Sequence, residues 1–95
     1  MFSKYDAHAL MDRCFDLTGL GCDTFIHYAP HTDRVYISYF QGKWEDKDGH
    51  ADKLLEVVPA NEEPDPEYLQ MSVGEAIVFL DEKIKEARHG IGDEE

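Results

Sequence analysis

The sequence predicts an α+β fold with the element order α-β-β-β-α, in which a three-stranded antiparallel meander carries both helices on one face. Three patterns support this prediction. An apolar stripe at helical spacing opens the chain, two β-branched and aromatic runs flank the break Pro-His-Thr-Asp, and a capping box precedes a second apolar stripe. A chain of 95 residues suits one domain, so we expect residues 1–95 to share a single core.

The first helix is predicted over residues 4–17. Ser3 is placed to cap its amino end. The face that meets the sheet is expected to carry the apolar residues at helical spacing, Ala7, Leu10, Met11, Cys14 and Leu17. Gly19 is predicted to take the left-handed position that ends the helix.

The central hairpin is predicted to consist of strands 24–29 and 34–41, joined by a four-residue loop. With Ala29 opposite Arg34, one face of the hairpin carries Ile26, Tyr28, Val35 and Ile37. The other face carries Phe25, His27, Tyr36 and Phe40. A slip by one residue would mix apolar and polar side chains, so the pattern favours this register.

A third strand is predicted over residues 53–58, paired with the second strand and ended by Pro59. Residues 59–70 are expected to form an acidic, proline-rich loop, because prolines lack the N–H that regular pairing requires.

The last helix is predicted over residues 73–89. Ser72 and Glu75 form the capping box at its amino end. Gly90 is expected to end the helix, which leaves residues 91–95 as a frayed tail.

The charge balance is strongly acidic, with 21 Asp and Glu against 9 Lys and Arg and a formal net charge of −12. Direct binding to nucleic acid or to an anionic membrane is not expected, because both depend on basic residues. A basic partner would instead be attracted. The alternative, that the acidity serves solubility alone, stays open. The amino end has neither a basic start nor an apolar run, so we expect a cytoplasmic location.

The sequence predicts no enzyme, no metal site and no cofactor. It contains neither a G-x-S-x-G motif nor a phosphate-binding glycine loop. His27 and His31 are four residues apart, but one lies in a predicted strand and the other in a turn, so they are not expected to converge. Cys14 and Cys22 are expected to be reduced. A carboxylate pair in a cleft would be the basis of the remaining alternative, a small enzyme or metal protein.

Two features are more than a scaffold requires. The first is the aromatic face of the hairpin, which is either exposed for binding or covered by Trp44 and the proline-rich loop. The second is the segment Glu45–Glu67, which holds nine acidic residues and two lysines. Held on a rigid scaffold beside aromatic side chains, such a segment could imitate a phosphate backbone and occupy a basic groove.

The chain resembles small acidic proteins of phages and other mobile elements, among them inhibitors of the anti-CRISPR type. The resemblance lies in the hairpin motif F-I-H-Y-x-P-H-x-D-x-V-Y-I-x-Y, the following G-x-W and acidic segment, and the closing amphipathic helix, and it covers Phe25–Asp48 at the level of motifs. Several such inhibitors block nucleic-acid-binding surfaces, so the resemblance implies a protein that inhibits by occupancy. No functional residue is carried over from that family.

The leading hypothesis is a non-enzymatic binding protein for a basic, nucleic-acid-binding protein. The hydrophobic anchors would be Phe25, Tyr36 and Trp44. The residues for steering and charge pairing would be Asp46, Asp48, Glu62, Glu63 and Asp65. The alternative is a small cytoplasmic accessory module that homodimerises through the aromatic face of the hairpin or the free edge of the first strand.

Overall fold

The computed structural model describes residues 2–93, without the side chains of Pro66 and residues 90–93. Its fold is α+β, as predicted, with two helices and one sheet. The helices are α1 (Lys4–Gly19) and α2 (Val73–Asp93), and the strands are β1 (Thr24–Ala29), β2 (Arg34–Tyr39), β3 (Lys53–Val57) and β4 (Gln70–Met71). Two short 3-10 turns, Trp44–Lys47 and Pro66–Tyr68, lie between strands.

The predicted hairpin register is confirmed. β1 and β2 are antiparallel with Ala29 opposite Arg34 and Ile26 opposite Ile37. The prediction that β2 reaches residue 41 is wrong, because the chain turns away from the ladder after Tyr39. The N–H of Gln41 donates to the carboxylate of Asp52 at 2.6 Å, and Gly42 takes a φ of +121° that few other residues tolerate.

The sheet has a fourth strand that the sequence did not predict. β3 pairs antiparallel with β2 as expected, but it ends at Val57 instead of residue 58. The predicted loop 59–70 contains the Pro66–Tyr68 turn and the start of β4, which runs parallel to β3. The strand order is β1-β2-β3-β4, and the backbone N–H of Val58 donates to the carbonyl of Met71 at 2.9 Å.

The helix starts are confirmed by their caps. Ser3 Oγ accepts from the N–H of Asp6 at 3.0 Å, and Ser72 Oγ accepts from the N–H of Glu75 at 3.1 Å. Both satisfy backbone donors that have no partner within the helix.

Both helices extend further than predicted. α1 ends at Gly19 instead of residue 17, and Gly21, not Gly19, takes the left-handed conformation with φ +93°. Hydrogen bonds from Gly21 and Cys22 back to the last turn complete a Schellman motif there. α2 continues through Gly90 to Asp93, since glycine weakens a helix without stopping it. The predicted tail is therefore helical over residues 91–93, and residues 94–95 lie outside the described part.

The core lies between the helices and one face of the sheet. Its fully buried large side chains include Leu10 and Leu17 from α1, Ile37 from β2, Leu55 from β3 and Leu80 from α2. Both helices therefore pack on the same face, as predicted. Side chains alternate along each strand, so the strand residues next to the buried ones point to the opposite surface of the sheet. We call this surface the open face, and its side chains include Phe25, His27, Arg34, Tyr36, Ser38, Leu54 and Glu56.

Candidate functional site

The open face presents large apolar side chains to solvent. Phe25, Tyr36 and Leu54 come from three neighbouring strands, and all three are exposed. Tyr36 lies opposite His27, with the ring centroids 6.5 Å apart. A soluble domain normally spreads such side chains singly over its surface, whereas here they share one sheet face.

Trp44 covers one end of the open face in part. Its backbone N–H donates to the carboxylate of Asp23 at 2.9 Å, which positions the 3-10 turn beside β1. Phe25 packs edge-to-face on both Trp44 (6.3 Å between ring centroids) and Phe40 (5.7 Å). Phe40, expected on the aromatic face, is only 3% exposed, and Phe25 packs on its ring. Phe25 and Trp44 remain about half exposed, so Trp44 covers this end of the aromatic face only in part.

The other side of the open face is bordered by Tyr68 and Leu69. Asp65 organises this loop: its carboxylate accepts from the N–H of Glu67 at 3.0 Å, and its own N–H donates to Gln70 Oε1 at 3.0 Å. Gln70 Nε2 in turn donates to the Glu56 carboxylate. The backbone of the loop is thereby attached to β3 and β4.

Leu69 has an unusual backbone conformation. Its φ is +57°, a left-handed value that costs an L-residue roughly 1–2 kcal/mol. The other non-glycine residues with positive φ in the described chain are Asp33 and Asp48, and aspartate tolerates this region well. Leu69 gains little from burial in return, since 79% of it is exposed. Strain of this kind persists where surrounding structure enforces it, often at binding sites.

A cavity of about 280 Å³ opens on this part of the molecule. Its lining includes Tyr36, Ser38, Leu54, Glu56, Tyr68 and Leu69. Four of these are aromatic or apolar, and Glu56 supplies a carboxylate.

The predicted acidic residues do not form one cluster. Asp46 lies in the 3-10 turn that begins at Trp44, and Asp48 is the residue that caps the end of this turn. Glu62 pairs with Arg34 at 2.6 Å, at the opposite end of β2. The six residues of β2 span about 17 Å at the usual rise per residue, so the two groups lie at opposite ends of the open face.

Some of the acidic residues are occupied by contacts within the chain. Asp65 organises its own loop, and Asp52 is paired with Lys47 at 2.7 Å. The Lys47 ammonium and the Gln41 N–H lower the pKa of Asp52 below its usual value. By contrast, Glu45, Asp46 and Glu63 are exposed and make no ion pair with the described residues. These carboxylates remain accessible to a partner.

A second, larger cavity of about 630 Å³ lies between α1 and β1, away from the open face. Its lining includes Met11, Phe15, Leu20 and Ile26, together with Asp16 and Arg88. Phe15 is 77% exposed, and β1 is an edge strand of the described sheet. Cys14, at the base of the groove, is buried, which raises the pKa of its thiol and lowers its reactivity.

No group of three or more His, Cys, Asp and Glu side chains in the described part of the chain is arranged to hold a metal ion. Within residues 2–93, no helix combines the length and the apolar character needed to span a membrane.

Comparisons with protein-family models, curated proteins and solved structures gave no match to this chain. The geometry of the chain itself places Phe25, Tyr36 and Trp44 on or beside the open face. Sequence reasoning missed Leu54, Tyr68 and Leu69, which enlarge this surface. The adjacent Tyr68 and Leu69 in a segment otherwise rich in proline and acid were the one available signal.

Proposed function

We propose that the protein is a non-enzymatic acidic binding protein that occupies the basic, nucleic-acid-binding surface of another protein. The observation that carries this proposal is the open face, where exposed aromatic and apolar side chains lie beside exposed carboxylates. In keeping with the resemblance to phage inhibitors of the anti-CRISPR type, we place the protein in the cytoplasm of a bacterial host.

The hydrophobic part of the interface would come from both ends of the open face. Phe25 and Trp44 offer half-exposed rings whose positions are fixed by mutual packing. Tyr36, Leu54 and Tyr68 add exposed surface nearby. Rigid aromatic side chains suit an interface because they bury large areas at a low cost in side-chain entropy.

The electrostatic part would come from carboxylates that the fold leaves unpaired. Glu45 and Asp46 precede Asp48 in the turn beside Trp44, so they would meet basic residues of a partner whose apolar surface packs on Trp44. The net charge of −12 adds long-range attraction, which speeds association and weakens as salt rises.

The first experiment is a pull-down from bacterial lysate with washes of increasing salt, followed by titration of the recovered partner. Recovery of a basic nucleic-acid-binding protein that elutes as salt rises is expected. The double variant Glu45→Lys/Asp46→Lys should then bind about tenfold more weakly and show a shallower salt dependence.

The matched control is Asp12→Lys/Glu82→Lys, which makes the same change in net charge on the two helices, away from the open face. This control should retain most of the affinity. An equal loss in both variants would reduce the proposal to a non-specific charge effect, and unchanged affinity in the first variant would refute it.

A second candidate function, a homodimeric module, is favoured by the groove between α1 and β1. This groove lies beside a free strand edge and holds Asp16 and Arg88, whose opposite charges could pair across a twofold axis. Sedimentation equilibrium separates the candidates. A dimer that Phe15→Asp dissociates and Tyr36→Asp leaves intact would assign self-association to the groove, and the reverse would assign it to the open face.

A further inference from the structure

We infer that the cavity on the open face, bounded by Tyr36, Leu54, Tyr68 and Leu69 with Glu56, is a receptor for one arginine side chain of the partner. This inference rests on the proposed function, because it names the chemical group through which a basic partner would be recognised. It concerns a single site and can be tested without the partner.

The size and the walls of the cavity suit one long side chain. Its volume of about 280 Å³ lies just below the range of roughly 300–1,000 Å³ typical of pockets for drug-sized ligands. Leu54 and Leu69 offer apolar surface to the methylene stem of an arginine. Tyr36 and Tyr68 offer aromatic rings, which attract a guanidinium group.

Glu56 supplies the opposite charge in a fixed orientation. The hydrogen bond from Gln70 Nε2 and the longer contact from Arg34 Nε, at 3.8 Å, both reach Oε2. Oε1 accepts no hydrogen bond from the described residues. A carboxylate can accept about four hydrogen bonds, so acceptor capacity remains for a ligand.

Arg34 does not neutralise this site. Its closer contact is with Glu62, at 2.6 Å, whereas Glu56 is 3.8 Å away. One arginine thus faces two carboxylates, and the group retains a net negative charge. An anionic ligand would be repelled, and a cation is favoured.

The chemistry favours arginine over lysine. A guanidinium group is planar and weakly hydrated, so it can stack on tyrosine while it donates to a carboxylate. The ammonium group of lysine is compact and strongly hydrated, and it gains less from aromatic walls. The left-handed backbone of Leu69 is consistent with the same purpose, since the exposed Leu69 side chain forms part of the cavity wall.

The test is an NMR titration of the ¹⁵N-labelled protein with Nα-acetyl-arginine methylamide. Saturable shifts are expected at the amides of Tyr36, Leu54, Glu56 and Leu69, with a Kd of about 1 mM for so small a ligand. The citrulline analogue has the same shape without the charge and should cause no saturable shift. The lysine analogue should bind at least about fivefold more weakly than arginine.

Two variants test the walls and the carboxylate separately. Tyr68→Ala removes an exposed side chain, so the fold should be kept while arginine affinity falls about fivefold. Glu56→Gln should lower it about tenfold. Glu82→Gln makes the same chemical change at an exposed position of α2, outside the cavity lining, and should leave the affinity unchanged.

The outcomes separate this inference from the proposed function. Equal binding of arginine and citrulline, or unchanged affinity in both Tyr68→Ala and Glu56→Gln, would overturn the arginine site. If a basic partner is recovered from lysate while arginine causes no shift, the arginine site is refuted and the proposed function stands. If arginine binds as expected but no partner is recovered, the site is supported and the proposed function is refuted.

Discussion

Replacement of Leu69 by glycine should stabilise the protein relative to replacement by alanine. Both substitutions remove the same exposed side chain, so the small loss of burial cancels between them. At an ordinary position alanine is the more stabilising residue by about 0.4–1 kcal/mol, because it restricts the unfolded chain. At position 69 the left-handed φ of +57° reverses this preference, since only glycine adopts it without steric cost.

The expected magnitude follows from these two terms. The left-handed conformation costs alanine roughly 1–2 kcal/mol relative to glycine. Alanine regains about 0.4–1 kcal/mol because it restricts the unfolded chain more than glycine does. Leu69→Gly should therefore exceed Leu69→Ala in free energy of unfolding by about 0.8 kcal/mol. For a domain of this size, that difference corresponds to a shift of about 3–6 °C in Tm.

The assay is urea unfolding followed by far-UV circular dichroism and by the fluorescence of Trp44, the one tryptophan in the chain. Equal m values in the two variants would show that they unfold to comparable states. Ala60→Gly is the matched control, because Ala60 is exposed in the same connection and is not among the residues with positive φ. Glycine should destabilise there. If alanine is also the more stable residue at position 69, the left-handed conformation of Leu69 is refuted.

Three further predictions concern the helix cap and two titrating groups. Ser72→Ala should lower the free energy of unfolding by about 1 kcal/mol in urea titrations, because the N–H of Glu75 loses its acceptor. Asp52→Asn should destabilise the protein near neutral pH, because the contact with Lys47 holds the pKa of Asp52 below its ordinary value. That stabilisation is present above the ordinary pKa and is lost as pH falls through the lower folded-state value, so the two proteins should converge in acid. Tyr39→Phe should reduce the loss of stability in alkali, measured from urea midpoints at pH values on either side of 10. Burial raises the pKa of Tyr39, so its stabilisation is complete below the unfolded-state pKa and declines as pH rises above it.

Each of these three predictions can be contradicted by a specific result. A Ser72→Thr variant keeps the hydroxyl and should recover most of the stability, so equal losses in the threonine and alanine variants would contradict the cap. A constant difference between Asp52→Asn and the unmodified protein from neutral pH into acid would contradict the pKa argument. The same would follow for Tyr39 if its phenylalanine variant lost stability in alkali as steeply as the unmodified protein.

The sequence predicted those parts of the fold that are encoded by neighbouring residues. The hairpin register followed from the alternation of apolar and polar side chains, because a slip by one residue would place side chains on the wrong face of the sheet. The helix caps at Ser3 and Ser72 join residues three positions apart, so they could also be predicted from the sequence. β4 has only two residues, too few to show any period, and it depends on pairing with β3 across the proline-rich connection.

The candidate site was harder to predict because it depends on distances between elements. The segment Glu45–Glu67 is continuous in sequence, yet β3 lies within it and carries its two halves to opposite ends of the sheet. The exposure of Leu69 could not be predicted for a related reason. A leucine is expected to be buried because it is hydrophobic. Here the hydrogen bonds of Asp65 and Gln70 fix the turn, and the turn sets the direction of the backbone at Leu69.

The two edges of the sheet differ in what they allow. β4 is only two residues long, and it is bounded by the left-handed Leu69 on one side and by the helix cap Ser72 on the other. β4 pairs with only Glu56 and Val57 of β3, so this edge of the sheet is divided between two short stretches of backbone. β1, at the opposite edge, offers six residues. The longer free edge of the described sheet is therefore β1, and two copies that paired there in antiparallel fashion would join their sheets into one.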